Sequence, residues 1–159
     1  MPTSPTIAII GIGQPYRGDD AAGLAVVEQL TDLQTDTVRV TAFHGDATEL
    51  IHLWEDADWV ILIDAAQSGV PAGTLHHFEV QERPLPSFLS SWSSHSFGLP
   101  EAITLAKQFG RLPKRMEIYA IEGERFGMGD EMSPTVSATC RKLAADLRRR
   151  IQTEWNSAG

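Results

Sequence analysis

The chain is poor in cysteine, in basic residues and in long apolar runs. Its 159 residues include one cysteine, which excludes an internal disulfide and a metal site built from several cysteines. Lys and Arg total 13 against 21 Asp and Glu, and the net charge of −8 argues against nucleic acid and anionic membranes as main partners. No apolar run reaches the roughly 18 residues that a membrane-spanning helix needs.

The N-terminal segment and the overall composition are those of an ordinary globular domain. The opening letters MPTSPT show no basic segment followed by an apolar one, so we expect no signal peptide and a cytoplasmic location. Hydrophobic residues make up 42% of the chain and charged residues 21%, which is typical of a globular protein. The length is close to that of one domain, so we expect a single domain over residues 1–159.

Five short apolar segments predict the strands of one sheet. Segments 7–10 and 59–63 are apolar without alternation, which indicates central strands covered on both faces. The remaining strands are predicted at 38–43, 74–80 and 116–121. The link between Asp64 and residue 74 is short and broken by glycine and proline, so it cannot hold a crossover helix. Strand 74–80 should therefore run antiparallel at an edge of the sheet.

Helical spacing of apolar residues predicts a helix between most of these strands. One helix follows Asp19 and Asp20, and a second covers 47–54. A third begins at Pro100 and ends at Gly110, with a buried stripe of Leu99, Ile103, Ala106 and Phe109. The last begins at Ser133 as N-cap, followed by Pro134, and buries Val136, Cys140, Leu143, Leu147 and Ile151. The pattern predicts an α/β fold: a three-layer α/β/α sandwich whose five-stranded sheet is mostly parallel, with one antiparallel edge strand.

The turn after the first strand reads GIGQPYRGDD. It lacks the third glycine of a dinucleotide fingerprint and the Lys-Ser/Thr pair of a phosphate-binding loop. Two carboxylates at a helix start repel phosphate and attract a cation. One of Asp19 and Asp20 can cap the helix while the other points into the cleft.

Two further residues are candidates for the same cleft. Asp64 ends a buried strand, where a carboxylate is costly unless it is paired or solvated. His95 stands between a Pro/Ser-rich segment and the third long helix, and His44 is the second choice among the histidines. Together, Asp20, Asp64 and His95 form a plausible site for a divalent metal such as Ni²⁺ or Zn²⁺. Cys140 lies on the buried stripe of the last helix and is interpreted as core.

Three segments resemble the [NiFe]-hydrogenase maturation proteases. They are GIGQPYRGDDAAG, ILIDAA and SSHSFGLPEAI, in the order and spacing of that family. The resemblance implies an endopeptidase that removes the C-terminal extension of a hydrogenase large-subunit precursor after nickel insertion. It implies metal-contacting and catalytic roles for Asp20, Asp64 and His95. Nickel would be presented by the substrate, and no organic cofactor is expected.

Substrate contacts are predicted in two places. His44, Gly45 and Asp46 stand where the family often reads Asp-Gly-Gly, and the resemblance makes Gly45 and Asp46 candidate contacts. The segment 81–94 carries apolar side chains close to His95, so Phe88 and Trp92 are predicted to touch the precursor, although both could equally pack on the core.

Two other functions are open at this point. The turn after the first strand is similar to that of peptidyl-tRNA hydrolases, but the charge of −8 argues against a tRNA substrate. A nucleotide-binding α/β protein would also use a glycine turn, and the acidic pair opposes phosphate there.

Overall fold

The computed structural model of the protein describes residues 5–45, 47–82 and 99–155. It contains a five-stranded sheet in the order β2-β1-β3-β5-β4. The strands are β1 (Ile7–Ile12), β2 (Val38–Phe43), β3 (Trp59–Ala66), β4 (Leu75–Glu79) and β5 (Arg115–Glu122). The first, second, third and fifth strands are parallel, and β4 pairs antiparallel with β5 at one edge. The prediction of a mixed sheet with this antiparallel edge strand is confirmed.

Four α-helices cover the two faces of the sheet. They are α1 (Ala22–Glu28), α2 (Ala47–Trp54), α3 (Leu99–Gln108) and α4 (Pro134–Arg150). Short helical turns at Gly18–Ala21, Thr31–Leu33 and Ile151–Trp155 flank them. In the part of the chain that the structure describes, no helix has the length and apolar character needed to cross a membrane.

Alternation along the strands divides the core into two layers. On β3, Val60 and Leu62 pack towards α2 and α3, whereas Ile61 and Ile63 pack towards α1 and α4. Every residue of β1 and of β3 is buried, because strands in the middle of a parallel sheet have helices on both sides. The three-layer α/β/α sandwich is therefore as predicted.

Several boundaries differ from the sequence-based expectation. Strand β3 continues for two residues past Asp64, because Ala65 and Ala66 pair with the end of β5. Phe109 is 69% exposed and does not belong to the buried stripe of α3. The helix has ended before it, and Gly110 adopts a φ of +65° that turns the chain away.

Candidate active site at the carboxyl edge of the sheet

The strand order reverses between β1 and β3. The chain leaves β1 towards β2 on one side and returns to β3 on the other side. Ligands of open α/β sheets bind in the crevice at such a reversal, outside the carboxyl ends of the strands. Asp20 follows β1, and Asp64 lies near the carboxyl end of β3. The parallel pairing of β1 with β3 brings both segments to the same edge.

Two glycines allow the turn that carries Asp20 to lie close to the sheet, because they have no side chain. A Cβ atom on Gly13 would lie 2.3 Å from the carbonyl oxygen of Asp20. A Cβ atom on Gly23 would lie 2.3 Å from the carbonyl oxygen of Ile63, the residue before Asp64. Any side chain at these positions would push the turn away from β1 and β3.

Asp19 has a structural role, which differs from the expected helix cap. Its carboxylate accepts hydrogen bonds from the backbone amides of Glu124, Arg125 and Ser133 and from the Ser133 hydroxyl, at 2.7–3.0 Å. Burial raises the pKa of Asp19, but the amides of Glu124, Ser133 and Arg125 and the Ser133 hydroxyl outweigh burial and lower the pKa overall. Asp19 therefore ties the turn after β1 to the loop before α4. Neither helical segment that follows the turn is capped by a side chain.

The carboxylates of Asp20 and Asp64 are almost fully buried. Asp20 is 3% exposed and Asp64 is 5% exposed. One oxygen of Asp64, Oδ1, accepts a 2.7 Å hydrogen bond from the amide of Ala65. Carboxylate oxygens, with an imidazole, form a donor set that suits Ni²⁺ or Zn²⁺. That Asp20 and Asp64 hold a divalent cation at the switch point stays a prediction.

Other predicted site residues are placed as follows. Gly45 and His44 lie just after β2 and are exposed. Asp46, Phe88, Trp92 and His95 lie outside the described residues, as does most of segment 81–94. The ligand role of His95 and the contact roles of Phe88 and Trp92 stay predictions.

Glu122 is an acidic residue of this edge that the sequence analysis missed. It ends β5, is 1% exposed, and pairs in register with Ala66 of β3. Its carboxylate accepts 2.7 Å hydrogen bonds from the amide and the hydroxyl of Ser68, and it lies 3.3 Å from Nε2 of His76. The sequence could have indicated Glu122, because this carboxylate ends an apolar strand, and Asp64 was chosen for nearly the same position on β3.

A second His–Glu pair lies at the opposite end of the sheet. Glu117 accepts hydrogen bonds from Nε1 of Trp59 at 2.7 Å and from both terminal nitrogens of Arg150, and it lies 2.8 Å from Nε2 of His77. His77, Glu79 and Glu117 are close enough together to share a metal ion. The Arg150 guanidinium already balances the charge of Glu117, so this group acts as an ion pair of the core.

Cys140 is buried, as predicted. Burial, with a smaller effect of the Asp19 charge, raises the pKa of its thiol to about 12. The thiol therefore stays protonated at neutral pH and is not a nucleophile.

Comparisons with known proteins find relatives in sequence and in fold. The chain is 28% identical over 158 residues to hydrogenase expression/formation protein HupD of Bradyrhizobium diazoefficiens, covering 91% of this chain and 82% of that protein. It is 30% identical to the HupD of Thiocapsa roseopersicina over 77% of this chain, and it spans 56% of that relative's length. Among solved structures, the hydrogenase maturating endopeptidase HybD from Escherichia coli superposes with a TM-score of 0.75 at 21% identity, covering 94% of each chain, and shares the fold.

The family assignment rests on a family model that matches most of the chain. The model of the hydrogenase maturation protease family matches residues 24–149, which include β2 to β5 and nearly all of α4. The chain therefore belongs to the hydrogenase maturation protease family.

Proposed function

We propose that this protein is an endopeptidase that removes the C-terminal extension of a [NiFe]-hydrogenase large-subunit precursor once nickel has been inserted. The observation that carries the proposal is the position of Asp20 and Asp64, enclosed at the switch point of a chain that belongs to this family. Its single, inert cysteine agrees with action in the cytoplasm.

In this proposal, nickel is part of the substrate. Asp20, Asp64 and His95 contact the nickel held by the precursor and so recognise that the metal has been inserted. Contact with the metal also positions the scissile peptide bond at the carboxyl edge of the sheet. Gly45, Asp46, Phe88 and Trp92 contact the surrounding polypeptide.

The acidic edge also separates this function from the two alternatives. Asp20 follows β1, Asp64 lies near the carboxyl end of β3, and Glu122 ends β5, and all three carboxylates are buried. A concentration of negative charge opposes the phosphates of a nucleotide or of tRNA. Hydrolysis of peptidyl-tRNA or submicromolar binding of a nucleotide would therefore contradict the proposal.

The test is a trimming reaction with purified components. The protein is mixed with a nickel-loaded large-subunit precursor or with the same precursor free of nickel, and the intact mass of the precursor is followed. We expect a loss of mass from the C-terminus of the loaded precursor alone. Trimming of both forms would contradict recognition of nickel, and trimming of neither would contradict the function.

A further inference from the structure

Large side chains are exposed where the turn after β1 meets the loop after β5. Tyr16, in the turn, is 79% exposed, and Met128, in the loop, is 70% exposed. The amide of Gly129 donates a 2.7 Å hydrogen bond to the carbonyl oxygen of Tyr16, which brings the two segments together. Arg17 is the next residue of the turn, and its carbonyl oxygen accepts a 3.2 Å hydrogen bond from the amide of Asp20. Tyr16, Arg17 and Met128 are called the rim below.

The backbone of this turn is held in an uncommon conformation. Tyr16 has a φ of +66°, a region that residues with a side chain rarely occupy, and Gly18 has a φ of +59°. A Cβ atom on Gly18 would lie 2.5 Å from the carbonyl oxygen of Arg125, and the amide of Asp19 donates a 2.7 Å hydrogen bond to the same oxygen. The loop after β5 therefore fixes the turn on both sides of Arg17. A strained backbone at an exposed aromatic residue points to a role other than packing.

Arg17 is a partly buried cation without a protein partner. Its Nε atom is buried and has no hydrogen-bond acceptor among the residues that the structure describes. Within the same residues, no carboxylate forms an ion pair with its guanidinium, whereas Arg39 pairs with Asp56 and Arg148 pairs with Asp32. Because Nε is enclosed, the side chain lies against the protein. An ordered guanidinium without a partner is suited to an acceptor that arrives with a ligand.

The charges around Arg17 indicate which group that ligand carries. The chain has a net charge of −8, and Asp20, Asp64 and Glu122 are buried carboxylates at this edge of the sheet. An acidic polypeptide segment would be repelled from such an edge unless a cation lay beside it. A guanidinium can bind a carboxylate through two parallel N–H···O bonds, which fix its orientation as well as its position. The rim thus complements a polypeptide that carries a carboxylate.

We propose that the rim is a recognition surface for the hydrogenase large-subunit precursor. Arg17 binds a carboxylate close to the cleavage site, and Tyr16 and Met128 pack on the adjoining polypeptide. This inference rests on the proposed function and adds substrate-contacting residues to it. The rim takes no part in bond breaking, so its loss weakens binding of the precursor and leaves the trimming rate of the bound complex unchanged.

The main experiment compares Arg17→Gln and Arg17→Lys with the wild-type protein. Binding of the nickel-loaded precursor is measured by biolayer interferometry, and trimming is measured in single turnovers at saturating protein. We expect Arg17→Gln to raise Kd about 10- to 100-fold and to keep the saturated rate. Arg17→Lys should recover only part of the affinity, because an ammonium group lacks the planar fork. An unchanged Kd for Arg17→Gln, or a loss seen only in the saturated rate, overturns the proposal.

Arg125→Gln is the matched control. It removes the same charge from an exposed residue of the adjacent loop and leaves the backbone bonds of that loop in place. We expect it to bind the precursor with wild-type affinity. Equal weakening by Arg125→Gln and Arg17→Gln would be a general effect of net charge and would overturn the proposal.

A double-mutant cycle identifies the carboxylate that Arg17 binds. Asp and Glu residues of the precursor on either side of its cleavage site are changed singly to Asn and Gln. One of these changes should weaken binding to the wild-type protein and cause no further loss with Arg17→Gln. If every change affects both proteins alike, or none weakens binding, Arg17 has no carboxylate partner there and the proposal is overturned.

Tyr16→Gly separates recognition from folding. Glycine adopts a φ of +66° without strain, so the variant should melt no lower than the wild-type protein and yet bind the precursor more weakly. Met128→Ser should also weaken binding without loss of stability, since its side chain is largely exposed. Wild-type affinity in both variants overturns the apolar part of the rim, as does weaker binding explained by unfolding. Failure of the wild-type protein to trim the loaded precursor would instead refute the proposed function, while the binding measurements still decide the role of the rim.

Discussion

The hydroxyl of Ser133 donates a 2.8 Å hydrogen bond to Oδ2 of Asp19, although 114 positions separate the two residues. The backbone amide of Ser133 donates to the other oxygen of the same carboxylate at 2.7 Å. Ser133 occupies the N-cap position of α4, but its side chain does not cap that helix. The hydroxyl instead joins the start of α4 to the turn that carries Asp20.

We expect Asp19→Ala to destabilise the protein strongly. The change leaves the buried amide and hydroxyl of Ser133, and the amides of Glu124 and Arg125, without their acceptor. Unpaired buried polar groups cost about 1–3 kcal/mol each, so the free energy of unfolding should fall by about 3 kcal/mol or more. Urea denaturation measures this change. Ser133→Ala keeps the hydrogen bonds from the backbone amides to Asp19, so its free energy of unfolding should fall by only about 1 kcal/mol. Equal losses for both variants would contradict the explanation.

Glu117 should make the protein sensitive to acid. Burial raises its pKa, but hydrogen bonds from His77 and Arg150, the charge of Arg150 and the bond from Trp59 lower it from 4.5 to about 2. Because the folded pKa is depressed, the stabilisation is complete above the unfolded pKa of 4.5 and is lost as pH falls towards 2. The shift corresponds to a contribution on the order of 3 kcal/mol.

The pH dependence of urea midpoints in wild type and Glu117→Gln tests this expectation. The wild-type protein should lose stability steeply between pH 4.5 and the folded pKa of about 2. The variant should be less stable at neutral pH and should show a shallower decline over the same interval. Parallel curves would mean that Glu117 is not a main source of the acid sensitivity.

Gly23→Ala should destabilise the protein, although alanine favours a helix by about 1 kcal/mol over glycine. The added Cβ atom would lie 2.3 Å from the carbonyl oxygen of Ile63 and 2.5 Å from that of Ile12. Both obstacles are backbone atoms of the central strands and cannot rotate away. We expect a loss of at least about 2 kcal/mol in the free energy of unfolding and reduced trimming. A higher melting temperature for the variant would show that α1 does not pack closely against the backbones of β1 and β3 at Gly23.

Asp20→Asn and Asp64→Asn should each abolish trimming and leave the fold intact. Under the proposed function, replacing one enclosed carboxylate by a neutral amide removes an anionic oxygen donor for nickel. We expect at least a 10²-fold slower rate in the mass-based assay, with unchanged far-UV circular dichroism. His95→Ala should behave in the same way.

Glu28→Gln is the control for these variants. It changes an exposed carboxylate at the last position of α1, away from the carboxyl edge. Wild-type trimming by Glu28→Gln together with wild-type trimming by Asp64→Asn would refute the assignment of Asp64.

The sequence alone was sufficient for the strands and the helices, and it predicts the edge of the sheet at which the chemistry should occur. Uninterrupted apolar runs identify β1 and β3 as central, because only strands covered on both faces lack alternation. The broken link after β3 predicted the antiparallel direction of β4, because a parallel connection needs a longer crossover. Asp20 and Asp64 follow from the same reasoning, since the carboxyl ends of parallel strands meet at one edge.

Only the tertiary structure decided which polar side chains meet. The bonds of Asp19 to Ser133, of Glu122 to His76 and of Glu117 to Arg150 join elements that are distant in the chain. Hydrophobic periodicity reports which face of an element is buried, but not which residue of another element lies opposite. That depends on the register between strands, and a shift of β4 by one residue would turn His76 to the other face of the sheet and His77 towards the face of Asp64.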